Sequence, residues 1–249
     1  VRPRAEALER ELAQAEALRE TGQLRQAQEQ ARAAVAEASA LNVSRLEARA
    51  HVLSAQVAAD RGELADSERA WLDAIAAAEA CQDDVLRAEA WTALTRVVGV
   101  EQARFREGHQ LAAQANGVIQ RLGRPARLEA EYQFALGGLH SREGREKEAI
   151  AELKRAVDQA HAVHDADDTR IASMLVTLGV SLRNSGQLAE AGSRLQEALG
   201  IVERRLGPMH PLVANTLYQL SSVYRRLGVF DRTQAALWAQ RHGLAESER

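Results

Sequence analysis

The sequence predicts an all-α protein, a right-handed α-solenoid of about six stacked helical hairpins and twelve helices. Three observations predict it. Helix-forming Leu, Ala, Glu, Gln and Arg dominate, and aromatics are only 4% of the 249 residues. The four prolines, Pro3, Pro125, Pro208 and Pro211, all stand outside the apolar periodic runs. A pattern of small residues recurs along the chain at a nearly constant step.

That pattern is anchored at six turns: Gly22, Gly62, Ala103, Gly144, Gly186 and Gly228, separated by 40, 41, 41, 42 and 42 residues. Five residues after the turns stand Ala27, Ser67, Gly108, Ala149, Ala191 and Thr233. Twelve after them stand Ala34, Ala74, Ala115, Ala156, Ala198 and Gln240, and seven before them Ala15, Ala55, Arg96, Gly137, Gly179 and Ser221. A glycine can end a helix in the left-handed conformation. The small residues on either side then let the two helices of a hairpin approach. Apolar spacing of three and four, as in Leu175, Leu178 and Leu182 and then Leu188, Leu195 and Leu199, marks the flanking segments as amphipathic helices. One hairpin cannot bury its apolar face alone, so the hairpins must stack.

The hairpins are expected at about 4–41, 44–81, 84–123, 126–164, 168–206 and 211–243, in one domain covering 1–249. Ser44 with Glu47 reads as a capping box for the second. Asp83 or Asp84 caps the third, and Asp168 or Thr169 the fifth. Pro125 and Pro211 suit first helical turns, with His210 at the start of the sixth hairpin in a cap or turn role. The third hairpin departs from the pattern. Trp91 is one residue too far from its turn, Arg96 replaces the small residue, and the turn Gln102–Ala103 lacks glycine. A π-bulge or kink between Thr95 and Val100 would absorb the extra residue. The last hairpin carries Thr233 and Gln240 at small positions and Trp238 on its final helix, as a capping repeat or an association edge would.

These spacings resemble those of the tetratricopeptide repeat (TPR) family over nearly the whole chain. The step exceeds the usual ~34 residues of that family. It is similar to the kinesin-light-chain type of repeat, most closely in "GPMHPLVANTLYQLSSVYRRLGVF" (207–230). Segment 90–108, "AWTALTRVVGVEQARFREG", resembles the TPR tails of bacterial Ser/Thr protein kinases. The resemblance implies a protein-binding scaffold. Alternatively, it implies a regulatory or sensor tail that docks on its own kinase domain or on substrates. An opening Val1 inside a helical pattern reads as a piece of a longer chain.

Other function classes find little purchase. A net charge of -3 favours neither nucleic acid nor a membrane surface as a partner. No apolar run is long enough to cross a membrane. A lone Cys81 and no leader-like start fit a cytoplasmic setting, and only Lys147 and Lys154 among 32 basic residues are lysine, a bias of GC-rich bacterial codon usage. The densest polar cluster is "HAVHDADD" (161–168). His161 and His164 share a helix face with Asp165, Asp167 and Asp168 following, but a metal site wants a better-placed fourth ligand. "GGLHSREG" (137–144) lacks the lysine and spacing of a phosphate-binding loop. Acidic neighbours make Cys81 a poor nucleophile. No nucleophile motif and no kinase motif is present in the 249 residues, so neither catalysis nor a cofactor or metal is expected of them.

What remains is a partner groove. In such an array the first helix of each hairpin lines the concave side. The registers place Glu9, Leu12, Glu16, Arg49, Val52 and Gln56 there early in the chain. Later they place Phe134, Arg142, Val176, Arg183, Asn184, Asn215, Tyr218, Gln219, Ser222, Arg225 and Arg226. Amides can bond an extended peptide backbone, and guanidinium groups can grip carboxylates. The expected partner is a protein or peptide of acidic or mixed charge, with self-association through the C-terminal hairpin as a further option. No lysine stands at these positions, so the Lys/Asn/Arg clamp for a C-terminal carboxylate found in some family members is not expected.

Overall fold

A computed structural model describes residues 2–228, and every regular element in them is helical. The fold divides into two compact units, residues 1–139 and 140–249. The first contains α1 (Arg2–Glu20), α2 (Leu24–Leu41), α3 (Ser44–Asp60), α4 (Leu64–Ala80), α5 (Asp84–Thr95), a π-helical turn (Arg96–Glu101) and α6 (Phe105–Arg121). Helix α7 (Ala126–Arg142) belongs to it up to Leu139. The second contains α8 (Glu146–Val163), α9 (Thr169–Asn184), α10 (Leu188–Leu206) and α11 (Pro211–Arg226). The expected twelfth helix, with Thr233, Trp238 and Gln240, lies outside the described residues.

In the first unit α1 packs on α2, α3 on α4 and α5 on α6, and successive hairpins pack through α2–α3 and α4–α5. In the second, α9 packs on α10, with α8 on one side and α11 on the other. The alanines of the repeat pattern make these approaches possible: Ala15, Ala27, Ala55, Ala74, Ala149, Ala156, Ala191 and Ala198 are all fully buried. Ser67 takes the same place and donates its hydroxyl to the Ala55 carbonyl at 2.8 Å, so its buried oxygen is satisfied.

One joint repeats. The residue after the left-handed turn bonds the carbonyl five positions back, as in Gln23 to Leu18, Glu63 to Ala58, Arg145 to His140 and Gln187 to Leu182. The turn residues Gly22, Gly62, Gly144 and Gly186 have φ between +77° and +85°, where glycine carries no Cβ penalty. At the third hairpin the joint is wider by one residue, because Arg104 reaches the Val98 carbonyl. The π-turn Arg96–Glu101 leads into this joint, at the place the displaced Trp91 indicated, with Gln102 N–H bonding the Val97 carbonyl five back. Ala103 holds its turn at φ +56°.

The π-turn corrects the reading of Arg96. Arg96 is no helix-contact residue: it is exposed and pairs with Glu101 at 2.5 Å, a spacing of five that suits a π-turn. Thr95, one residue earlier, is buried instead, at 1% exposure. The extra residue is Gly99. It faces Gly108 so closely that a Cβ on Gly108 would stand 2.6 Å from the Gly99 Cα. Only a pair of glycines tolerates that approach.

Two helix starts differ from expectation. Ser44 is the first helical residue rather than the cap, since the Val43 carbonyl already takes the Glu47 N–H and leaves the Ser44 hydroxyl no partner for a capping box. Pro125 precedes α7, and its carbonyl accepts from Glu129 N–H. The other caps form as read. Asp83 accepts from Leu86 N–H, Asp168 from Arg170 N–H, and His210 through Nδ1 from Leu212 N–H at 3.1 Å, with Pro211 next to it.

Candidate functional site

In the second unit, α9 and α11 bring five of the expected groove residues into one hydrogen-bonded chain. Arg183 donates to Gln219 Oε1 at 2.8 Å and to Asn184 Oδ1 at 3.2 Å. Arg226 reaches across to the Arg183 carbonyl at 2.6 Å. Gln219 makes a long contact to Asn215 Oδ1 at 3.5 Å. Asn184 Nδ2 donates to Glu146 at the first turn of α8, 3.0 Å away. Position explains much of this arrangement. Arg183 and Asn184 end α9, and Arg225 and Arg226 end α11, where the negative pole of a helix favours cations.

The electrostatics go further than capping. Among the described residues no carboxylate lies within ion-pair distance of Arg183, Arg225 or Arg226, and none of them bonds the Arg225 guanidinium. Among the described residues, the three guanidinium groups thus stand without a carboxylate partner beside the amides of Asn184, Asn215 and Gln219. Tyr218 adds an aromatic ring, 64% exposed, and Ser222 is half-buried nearby on the same helix. Val176, expected in the groove, is instead buried in the core. Arg142 is exposed at the end of α7, and Phe134 is half-buried on the part of α7 that belongs to the first unit. The α9–α11 face is therefore built from Arg183, Asn184, Asn215, Tyr218, Gln219, Ser222, Arg225 and Arg226. Glu146 joins it unforeseen, because its partner Asn184 lies 38 residues further along.

The first unit has a concavity of its own, about 260 Å³ in volume. Leu12, Glu16, Arg49, Val52 and Gln56, five of the six early positions, line it together with Leu53, Leu86 and Glu89. Glu9 is exposed outside it.

The 161–168 cluster is dispersed into separate structural tasks. His161 Nε2 lies 3.2 Å from Glu197, Asp167 pairs with Arg204 at 2.7 Å, and His164 faces Asp168 and Arg170. Asp168 caps α9. Hydrogen bonds from Arg170 hold its carboxyl below the ordinary value of 3.8, and burial opposes them. Cys81 is half-buried at the end of α4. Tyr224 accepts from Gln196 Nε2 at 2.7 Å and ties α11 to α10, while burial pushes its hydroxyl above the usual tyrosine value of 10.0.

Paired antiparallel helices with left-handed turn glycines and alanine contacts, repeated every 40 to 42 residues, define a helical-repeat protein that presents one face of side chains. Comparison gives the type. Residues 170–237 match the tetratricopeptide repeat family model.

The fold is similar to that of BtubC (BKLC) from P. vanneervenii, with 19% identity, 98% of this chain and 95% of that one covered, and a TM-score of 0.63. It is similar to the nearly identical TPR-like repeats of kinesin-light-chain type from Podosopora anserina, with 16% identity, 80% and 97% covered, and a TM-score of 0.54. A Rap protein complexed with Competence and Sporulation Factor shares it too, with 15% identity, 96% and 76% covered, and a TM-score of 0.63. In sequence, Nephrocystin-3 is 38% identical over 84 residues in Homo sapiens and 39% over 66 residues in Xenopus laevis. Those matches take in 32% and 26% of this chain and 6% and 5% of the relatives' length.

Proposed function

We propose that these residues form a non-catalytic scaffold that binds a protein or peptide along the exposed face of its first helices. In the second unit, Arg183, Arg225 and Arg226 contact acidic groups of the partner, and the amides of Asn184, Asn215 and Gln219 contact its backbone. The observation that carries this reading is the set of three guanidinium groups without a carboxylate among the described residues. A charge left uncompensated on a folded surface is available to a ligand, and Arg binds carboxylates in a bidentate manner. The Rap protein solved with Competence and Sporulation Factor supports it by analogy, since a fold of this kind there holds another molecule. Among the described residues no helix is long and apolar enough to cross a membrane, and a cytoplasmic setting suits an array of this composition. Docking on a kinase domain of the same protein rests on the resemblance of segment 90–108 alone.

Reversing the three charges together, Arg183→Glu, Arg225→Glu and Arg226→Glu, tests the reading in a pull-down. Partner recovery should fall at least tenfold, and unchanged recovery would argue against this face.

Self-association is a second reading with an observation of its own. Met209 is 93% exposed, and Leu206 and Leu217 are also exposed around the α10–α11 joint. Exposed apolar side chains, where they adjoin, are a feature of association surfaces. Light scattering on the chain at rising concentration separates a monomer from a dimer.

A further inference from the structure

The concavity of the first unit has a different chemistry from the α9–α11 face. Its floor is apolar: Leu12, Leu53 and Leu86 are nearly buried, and Val52 is half-buried among them. Its volume of about 260 Å³ falls below the ~300–1,000 Å³ of small-molecule sites, which leaves room for one large apolar side chain. Its rim carries both signs of charge. Glu89 is already paired with Arg127, but Glu16 and Arg49 have no ionic partner among the described residues. The neighbouring Arg19 is taken by Asp60 and Arg45 by Asp83, so the rim does not neutralise itself through them.

We propose that this concavity is a second receptor, which takes a large apolar side chain of a partner peptide that also carries one basic and one acidic residue beside it. This inference rests on the scaffold reading but not on the arginine face. The floor removes the apolar side chain from water. Glu16 on α1 faces the basic neighbour and Arg49 on α3 the acidic one. Adjacent helices lie about 8–10 Å apart, and an extended peptide advances about 3.3 Å per residue. The two charged residues therefore fall within about two positions of the apolar anchor on either side. The anchor supplies most of the affinity. Burying a Leu side chain is worth roughly 10- to 100-fold in binding, whereas each exposed ion pair is worth no more than about fivefold.

The experiment is a peptide array probed with the whole chain. The peptides present Leu in a serine background, flanked at the second position on each side by Lys and Glu, by two Lys, by two Glu, or by Ser alone. The mixed-charge peptides should bind best, and Leu→Ala within the peptide should weaken them at least tenfold. Arg49→Glu should move the preference to the doubly basic peptide, and Glu16→Lys to the doubly acidic one. Both substitutions are on exposed positions, and the peptide change leaves the protein intact. The Arg183→Glu, Arg225→Glu, Arg226→Glu variant should bind the mixed peptides as the parent does. Equal binding of the Leu and Ala peptides would overturn the proposal, as would preferences that neither rim substitution moves. Loss of the mixed peptides in the triple variant would place their binding on the α9–α11 face instead. A failure of the acidic-partner reading alone would leave all these outcomes standing.

Discussion

The two units are built from the same hairpin, yet the faces they present differ in kind. The first offers an apolar floor of Leu12, Val52, Leu53 and Leu86 with Glu16 and Arg49 at its rim. The second offers Arg183 and Arg226 bonded to amides and a backbone carbonyl, with the Arg225 guanidinium bonded to no described residue. Within the hairpins the frames differ at the π-turn of the first unit, where Gly99 meets Gly108. Turn glycines and buried alanines thus hold the frame nearly constant, and exposed positions on the first helices are left to set the chemistry. A variant of a frame residue should act on stability, and a variant of a face residue on binding.

The largest effect on stability is expected where the two frames differ. In Gly108→Ala the new Cβ would stand 2.6 Å from the Gly99 Cα, which is backbone and cannot step aside cheaply. In Gly179→Ala of the second unit the new methyl meets Leu195 Cγ at 2.6 Å, a side chain that is buried but can turn as a whole where a backbone cannot, and alanine regains about 1 kcal/mol of helix propensity. Overpacking costs about 1–3 kcal/mol and the same propensity gain applies to Gly108 within α6, so Gly108→Ala should lose about 2 kcal/mol and Gly179→Ala about 1 kcal/mol. Denaturant unfolding measures both. Equal losses would show that backbone and side-chain contacts do not differ as described.

The next effect belongs to the cap of α9. Asp168→Ala should cost about 1 kcal/mol. The carboxyl of Asp168 is held below its ordinary 3.8, so its contribution is fully present above that value and is lost as pH falls through the lower folded value. Thermal unfolding of parent and Asp168→Asn from neutral pH to below 3.8 checks the sign. The parent should lose part of its advantage over the variant at the acid end, and a constant difference would remove Asp168 from the account.

The smallest effect returns to the first unit. Ala103 sits at φ +56° where the other hairpin turns have glycine, and a left-handed alanine costs about 1 kcal/mol. Ala103→Gly should therefore stabilise by up to about 1 kcal/mol. A loss would mean that the wider joint needs the alanine for another reason.

Much of this frame was legible because it is periodic. Gly22, Gly62, Gly144 and Gly186 mark the turns, and the misplaced Trp91 marks the place where a bulge or kink was needed and a π-turn stands. Which residue filled the contact was not legible. Arg96 held the numbered position, but the inserted residue moved it to the surface and brought Gly99 inward. The Ser44–Glu47 box failed for a local reason, since a backbone carbonyl competes for the same N–H and wins. Periodicity also placed Leu12, Glu16, Arg49, Val52 and Gln56 on one face, which is where the concavity lies. It could not distinguish Leu53 and Leu86, floor of that concavity, from ordinary core leucines. Nor could it find Glu146, whose role depends on a side chain brought to it by the packing of α8 against α9.

The arginines of α9 and α11, which no described carboxylate pairs, are proposed as a recognition surface and not only as helix-end cations. Binding of acidic peptides to the parent chain and to the Arg183→Glu, Arg225→Glu, Arg226→Glu variant, followed by fluorescence anisotropy at two salt concentrations, tests it most directly. The account predicts binding by the parent that weakens as salt rises and at least a tenfold loss in the variant, with unchanged helical content. Equal affinity of the two proteins for the same acidic peptides would contradict it.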